Sequence, residues 1–123
     1  MKIPISDILD RYSIDILKKE RANAENFKEI HDLKFKINKY SLDYKQFIDQ
    51  KITDLIEVNG KIWDLESDIR KGKEDLMGLE EVGRRAIKIR EYNKIKIRHK
   101  NDIVNYFGEG YKKIKINNIR DNE

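Results

Sequence analysis

Cysteine is absent, which excludes disulfides and thiolate metal sites and fits a reducing compartment. Proline occurs once, at Pro4, so beyond it no ring interrupts a helix. Only six glycines are spread over 123 residues, and helices can therefore run long. No apolar run approaches the roughly 20 residues of a membrane span. The opening MKIPISDILD carries Asp7 and Asp10 where a signal peptide needs an apolar stretch. The two histidines, His31 and His99, are not at metal-ligand spacing. Together these absences predict a soluble, cytoplasmic chain with no membrane contact, no metal and no cofactor.

What the chain does have is charge. Charged residues make up 41% and hydrophobic ones 38%, so the core must consist of narrow stripes rather than thick layers. The net charge of +4 is local in origin. Arg84, Arg85, Lys88, Arg90, Lys94, Lys96, Arg98 and Lys100 face a single acid, Glu91, over residues 84–100. Such a run fits an anionic partner, nucleic acid included. The favoured reading is a solvated helix face in a chain rich in Ile, Lys and Asn.

Apolar spacing predicts helices throughout. Ser6 is the expected N-cap of a first helix running to about Asn23, with Asp7 in its positive first turn. Its inner face is Ile5, Ile8, Leu9, Tyr12, Ile16 and Leu17. Asn26 is placed to cap a second helix, buried through Phe27, Ile30, Leu33 and Ile37. Tyr40 to Asp43 reads as a connection. A third helix then spans about 30 residues, or roughly 45 Å. It ends at Arg70-Lys71-Gly72, basic residues followed by a glycine suited to a left-handed cap. The fourth runs from about Leu79 to Phe107 and stops at Gly108-Glu109-Gly110. The fold class is therefore all-α: a helical bundle built on a long antiparallel helix hairpin. Two shorter helices precede the hairpin. One bundle domain covers residues 1–110, and a short basic tail covers 111–123.

The core stripes of the two long helices contain polar residues. In the third, Ile48, Ile52, Leu55, Ile62 and Ile69 share their series with Asn59 and Glu66. In the fourth, Leu79, Val82, Ala86 and Ile89 continue as Asn93, Lys96 and Lys100 before Ile103 and Phe107. Polar groups facing a core cost several kcal/mol unless paired or holding a ligand. If the hairpin turns near residue 75, Glu66 lies near Arg84 and Arg85, and Asn59 near Asn93. Lys96 and Lys100 then face Ile52 and Ile48, so their partners must come from the first helix or another subunit.

Asn59, Trp63, Glu66 and Arg70 form one helical face. Two readings stand: a buried Trp63 anchoring a helix interface beside a surface ion pair, or amide and carboxylate binding a polar ligand against an aromatic wall. In the first helix, Asp10, Leu17 and Arg21 share a face with Ser13 or Ile14. Arg21 and Lys100 together would suit phosphate or carboxylate. The ligand-binding candidates are thus Asp10, Arg21, Asn59, Trp63, Glu66, Arg70, Asn93 and Lys100. No phosphate-cradling glycine loop and no nucleophile with a base appears. Helical chorismate mutases resemble the stretch from Leu9-Asp10 to Arg21, but their second Arg-Glu pair has no counterpart at Asp43-Tyr44-Lys45-Gln46. The paired acidic motifs of all-α nucleotide pyrophosphatases are missing.

Three stretches carry a closer resemblance. They are Ile8-Leu9-Asp10-Arg11-Tyr12-Ser13-Ile14 with Lys18 and Glu20-Arg21, the Asn59–Arg70 segment, and Asn93 with Lys100 and Ile103. The chain is similar over about residues 5–115 to a family of small bacterial and phage helical proteins. That family has an Asn-x-x-x-Trp-Asp-x-Glu-x-x-Ile-Arg core motif, no established activity, and genes often placed beside those for sugar transfer. This chain departs from it at Val104, where the family tends to have Asn, and at Lys96, an Arg-like position. The resemblance implies the fold and the polar seam but no reaction. The expectation is a homo-oligomeric, non-catalytic binding or assembly module. The alternatives are a small enzyme or binding protein for an anionic metabolite, or a nucleic-acid binder using residues 84–100.

Overall fold

The structure, a computed structural model, describes residues 3–69 and 74–108. Arg70, the Gly72 cap and the 111–123 tail lie outside the described residues. Three helices follow one another: α1 (Ile5–Ala22), α2 (Phe27–Asp68) and α3 (Glu74–Phe107). The protein is all-α.

α1 is capped two residues earlier than its sequence suggests. Pro4, at φ −60° and ψ 146°, is the cap residue. Its carbonyl accepts the N–H groups of Asp7 (3.0 Å) and Ile8 (3.1 Å). Ser6, the expected cap, lies inside the helix and is buried. Pro4 wins because its fixed φ suits a helix start and it has no N–H to satisfy. The far end closes on Asn23 in the left-handed region (φ 51°), which a short polar side chain tolerates. The N–H groups of Asn23 and Ala24 both return to the Lys18 carbonyl.

α2 consists of two helical stretches that meet at a non-helical Tyr44 (φ −127°, ψ 22°), one residue beyond the connection expected at residues 40–43. No Pro or Gly lies between Phe27 and Asn59 to stop the helix. Tyr44 instead meets Tyr106 and Phe107 edge-on, at centroid distances of 5.7 and 5.3 Å. Phe47 stacks on Tyr106 at 3.8 Å. α3 is interrupted at Gly78 (φ 76°), and its regular course begins at Leu79. Gly108 (φ 73°) ends it, with its N–H on the Val104 carbonyl.

α2 and α3 run antiparallel. Tyr44 meets Tyr106, Lys51 meets Asp102 (2.9 Å), Lys61 lies over Tyr92, and Asp68 meets Arg85 (3.0 Å). α1 packs across them. The core joins Ile5, Ile8, Leu9 and Tyr12 of α1 to Leu33, Ile37, Ile48, Leu55, Val58 and Ile62 of α2. α3 adds Ile103 and Val104 near its end. Its earlier half is less covered: Leu79, expected on the core stripe, is 88% exposed, Ala86 of the same stripe is exposed and Ile87 is 52% exposed. At the start of α2, Phe27, expected to be buried, is 72% exposed. A stripe with a near-3.5 step drifts about 20° per heptad on a straight helix. Asn93 accordingly turns outward and Tyr92 inward. Among the described residues no helix is long and apolar enough to cross a membrane.

Candidate functional site

Asp10 and Ser13 stand one turn apart on α1, flanked by the buried Leu9 and Tyr12. Where α2 crosses them, position 59 is an asparagine instead of another aliphatic residue. Asn59 is 6% exposed. Its Nδ2 donates both hydrogens, one to Asp10 Oδ1 (2.9 Å) and one to Ser13 Oγ (2.8 Å). The Ser13 hydroxyl in turn donates to the Asp10 carbonyl (2.6 Å). α3 supplies the cations. Lys96 Nζ lies 3.2 Å from Asp10 Oδ2. Lys100, one turn on, lies 2.9 Å from Asp7 Oδ1 and 3.9 Å from Asp10 Oδ2. Two carboxylates and two ammoniums from different helices thus meet around one buried amide. The first-helix partners inferred for Lys96 and Lys100 are Asp7 and Asp10.

Arg21 takes a different place. Its Nη1 donates to the Gly60 carbonyl (2.9 Å) and to the Asp64 carboxylate. Gly60 makes this approach feasible. A Cβ there would sit 3.0 Å from Arg21 Nη2 and 3.6 Å from Leu17 Cδ2. The joint Arg21–Lys100 site for phosphate or carboxylate is therefore not formed, since each cation already holds its own acid. Neither Gly60 nor Asp64 is among the ligand-binding candidates read from the sequence. A glycine amid a helical pattern was the available signal.

Between the Asp10 cluster and Arg21 runs a groove of about 220 Å³. Ile14, Leu17, Ile62 and Trp63 are its apolar lining. Asn59, Glu66, Asn93 and Lys96 are its polar members. Asn59 and Asn93 thus share a groove. Trp63, expected to be largely buried, is only partly covered because one side faces this opening.

Glu66 requires a correction. It was expected as a core carboxylate held by Arg84, Arg85 or Arg21, and it is exposed. Arg84 pairs instead with Glu80 (3.2 Å) and Glu81 (2.9 Å), and Arg85 with Asp68 (3.0 Å). The α2 stripe has rotated away from the core by its last two turns. Glu66→Gln should consequently change stability by less than about 0.5 kcal/mol. A urea melt of the two proteins checks this.

A second polar cluster lies on the opposite flank of α2. Lys51 Nζ, with its side chain 12% exposed, reaches Asp102 (2.9 Å) and approaches His99 Nδ1 (3.4 Å) and Asp54 (3.9 Å). Asp54 and His99 of this cluster line a 140 Å³ hollow together with Tyr92 and Ile95. Only tertiary contact brings these residues together.

Asp15 is the most buried acid among the described residues, 3% exposed in α1. Burial pushes its carboxyl up from the usual 3.8, and the facing Glu29 adds to this; Lys18 and Asn26 pull partly back. An acid with a raised native pKa binds more protons folded than unfolded. Its contribution to stability is full below 3.8 and is lost as pH rises through the native value. Asp15→Asn should therefore be more stable than the parent at pH 7, with the difference shrinking toward pH 3.5. Melts across that range test the sign.

Comparison with protein-family models, curated proteins and solved structures gives no match for this chain.

Proposed function

We propose that the protein is a non-catalytic helical module for binding or assembly, working in the cytoplasm as a homo-oligomer. One observation carries this reading: the polar seam is satisfied by its own members. Both Asn59 amide hydrogens are bonded to α1, and Asp10, Lys96, Lys100 and Asp7 are paired with one another. Closed clusters of this kind set register and orientation between helices, the best-attested use of buried polar groups. The surface supports the assembly half. Phe27 (72% exposed) and Phe35 (61%) lie eight residues apart on one face of α2, with exposed His31 between them.

Sedimentation velocity tests the proposal. The parent should associate at high micromolar concentration. Phe35→Glu should shift it toward monomer with unchanged helix content by circular dichroism. A parent that remains monomeric removes the oligomer. A second reading, a small anionic ligand in the groove, is favoured by the Trp63 wall and the Lys96 rim. Saturable binding there that Trp63→Ala abolishes would replace the assembly reading. Nucleic-acid binding through the exposed Lys88, Arg90, Lys94 and Arg98 would show a steep loss of affinity with salt.

A further inference from the structure

The exposed Phe27–Phe35 face of α2 is positively charged as well as apolar. Lys19 Nζ lies over the Phe27 ring, 5.6 Å from its centroid, and Lys39 Nζ over the Phe35 ring at 4.9 Å. Lys28, Lys34 and Lys36 stand exposed around them. Residues 27–39 hold four lysines against two acids, Glu29 and Asp32. Pairing of this face with itself about a two-fold axis would set the lysines of one copy against those of the other. Like charges brought together across an interface oppose association. The face therefore suits a counterpart that is apolar and acidic, and the same chain carries one.

That counterpart lies at the start of α3. Leu79, Gly83, Ala86 and Ile87 fall at i, i+4, i+7 and i+8 on one side of the helix, and all four are exposed. Glu80, beside Leu79, keeps 88% of its side chain exposed. Residues 64–85 hold seven acids against five bases, an excess equal and opposite to that of residues 27–39. Two of the five bases are engaged within the stretch itself. Arg84 pairs with Glu80 and Glu81, and Arg85 with Asp68 and Glu81.

We propose that the homo-oligomer is built head to tail, the Phe27–Phe35 face of one copy docking on the Leu79–Ile87 face of the next. This rests on the assembly reading and names its second surface. Leu79 and Ile87 offer aliphatic contact to the two rings, and the lysines around the rings meet Glu80 and the acids near it. Because the two faces differ, the contact is heterologous. Every docked copy keeps one face of each kind for a further neighbour, so assembly closes into a ring or continues as an open chain. Phe35 and Leu79 are exposed in the single chain, and replacing either leaves the core intact.

The experiment is complementation between two full-length variants. Phe35→Glu breaks the first face and Leu79→Lys the second. Each places there a charge of the sign that the docking surface already carries. In sedimentation velocity at high micromolar concentration, each variant alone should be monomeric. An equimolar mixture should form a mixed dimer and stop there. The Leu79→Lys copy still offers Phe35, the Phe35→Glu copy still offers Leu79, and the two remaining faces are both broken. For the parent, raising salt from about 0.05 to about 0.5 M should weaken association several-fold. Asn105→Lys, at an exposed position elsewhere on α3, should associate as the parent does. Circular dichroism and melts establish that each variant is folded. Full association of Leu79→Lys alone, which a two-fold contact of the phenylalanine face would give, overturns the proposal and leaves the oligomer standing. So does a mixture without mixed dimer, or association indifferent to salt. A monomeric parent removes the assembly reading itself, and the head-to-tail contact with it.

Discussion

Asp10→Ala should lower the free energy of unfolding by about 3 kcal/mol, the low end of the range for breaking a buried ion pair, here one that is partly buried. The low end applies because Lys96 and Lys100 keep 21% and 25% of their side chains exposed and regain water in the variant. The Asn59 amide cannot, and one of its hydrogens loses its acceptor inside the core. Asn59→Leu should cost about 1–3 kcal/mol by stranding the Asp10 and Ser13 acceptors. The two changes remove the same bond, so their effects should not add. A double-mutant cycle should return a coupling of about 1–2 kcal/mol. Urea melts of the four proteins give the answer. Additive effects would mean that Asp10 and Asn59 act independently and that the cluster does not hold α1 to α2 and α3.

Leu9→Ala should destabilise by about 3 kcal/mol, within the usual range for emptying a fully buried leucine site. Leu9 is 0% exposed and belongs to the main core cluster, directly beside Asp10. The same truncation at Leu79, 88% exposed, should stay within about 0.5 kcal/mol. Amide exchange adds a spatial check. With Leu9 cut back, protection in α1 should fall before protection around Leu55 and Ile103. Uniform loss across all three helices would instead mean that α1 is part of a single cooperative unit.

The two predictions rest on features of unequal legibility. Leu9 is visible in the sequence, because Ile5, Ile8, Leu9 and Tyr12 repeat at helical spacing and all four are buried. Ile48, Leu55 and Ile62 are legible for the same reason, as is the stop at Gly108. Asn59 is visible as an interruption of that stripe, but its acceptors are not, since they come from a helix some 50 residues away in sequence. Ser6 and Glu66 were misread for a common reason. Each matches a local pattern, a cap or a stripe, that a neighbouring effect overrides. At Ser6 the overriding effect is the fixed φ of Pro4, and at Glu66 it is the accumulated rotation of a long helix. The kink at Tyr44 has a tertiary origin: the helix has no local breaker, and the aromatic cluster with Tyr106 and Phe107 forms only when α3 folds back.

By itself the sequence determined that the chain is helical, where α3 ends and which aliphatic residues of α1 and of the middle of α2 form the core stripe. These depend on short-range spacing, on the scarcity of glycine and proline, and on burial of a periodic face, all local properties. Only the tertiary structure decided which charges meet. Lys96 and Lys100 fall on Asp10 and Asp7, Arg21 on Asp64 and Gly60, and Arg85 on Asp68. In a chain with 41% charged residues almost any pairing is available locally. The crossing of α1 over the antiparallel α2 and α3 selects among them. It removes water from a few sites, and there a charge without its partner costs several kcal/mol, whereas on the open helix faces an ion pair contributes at most about 1 kcal/mol.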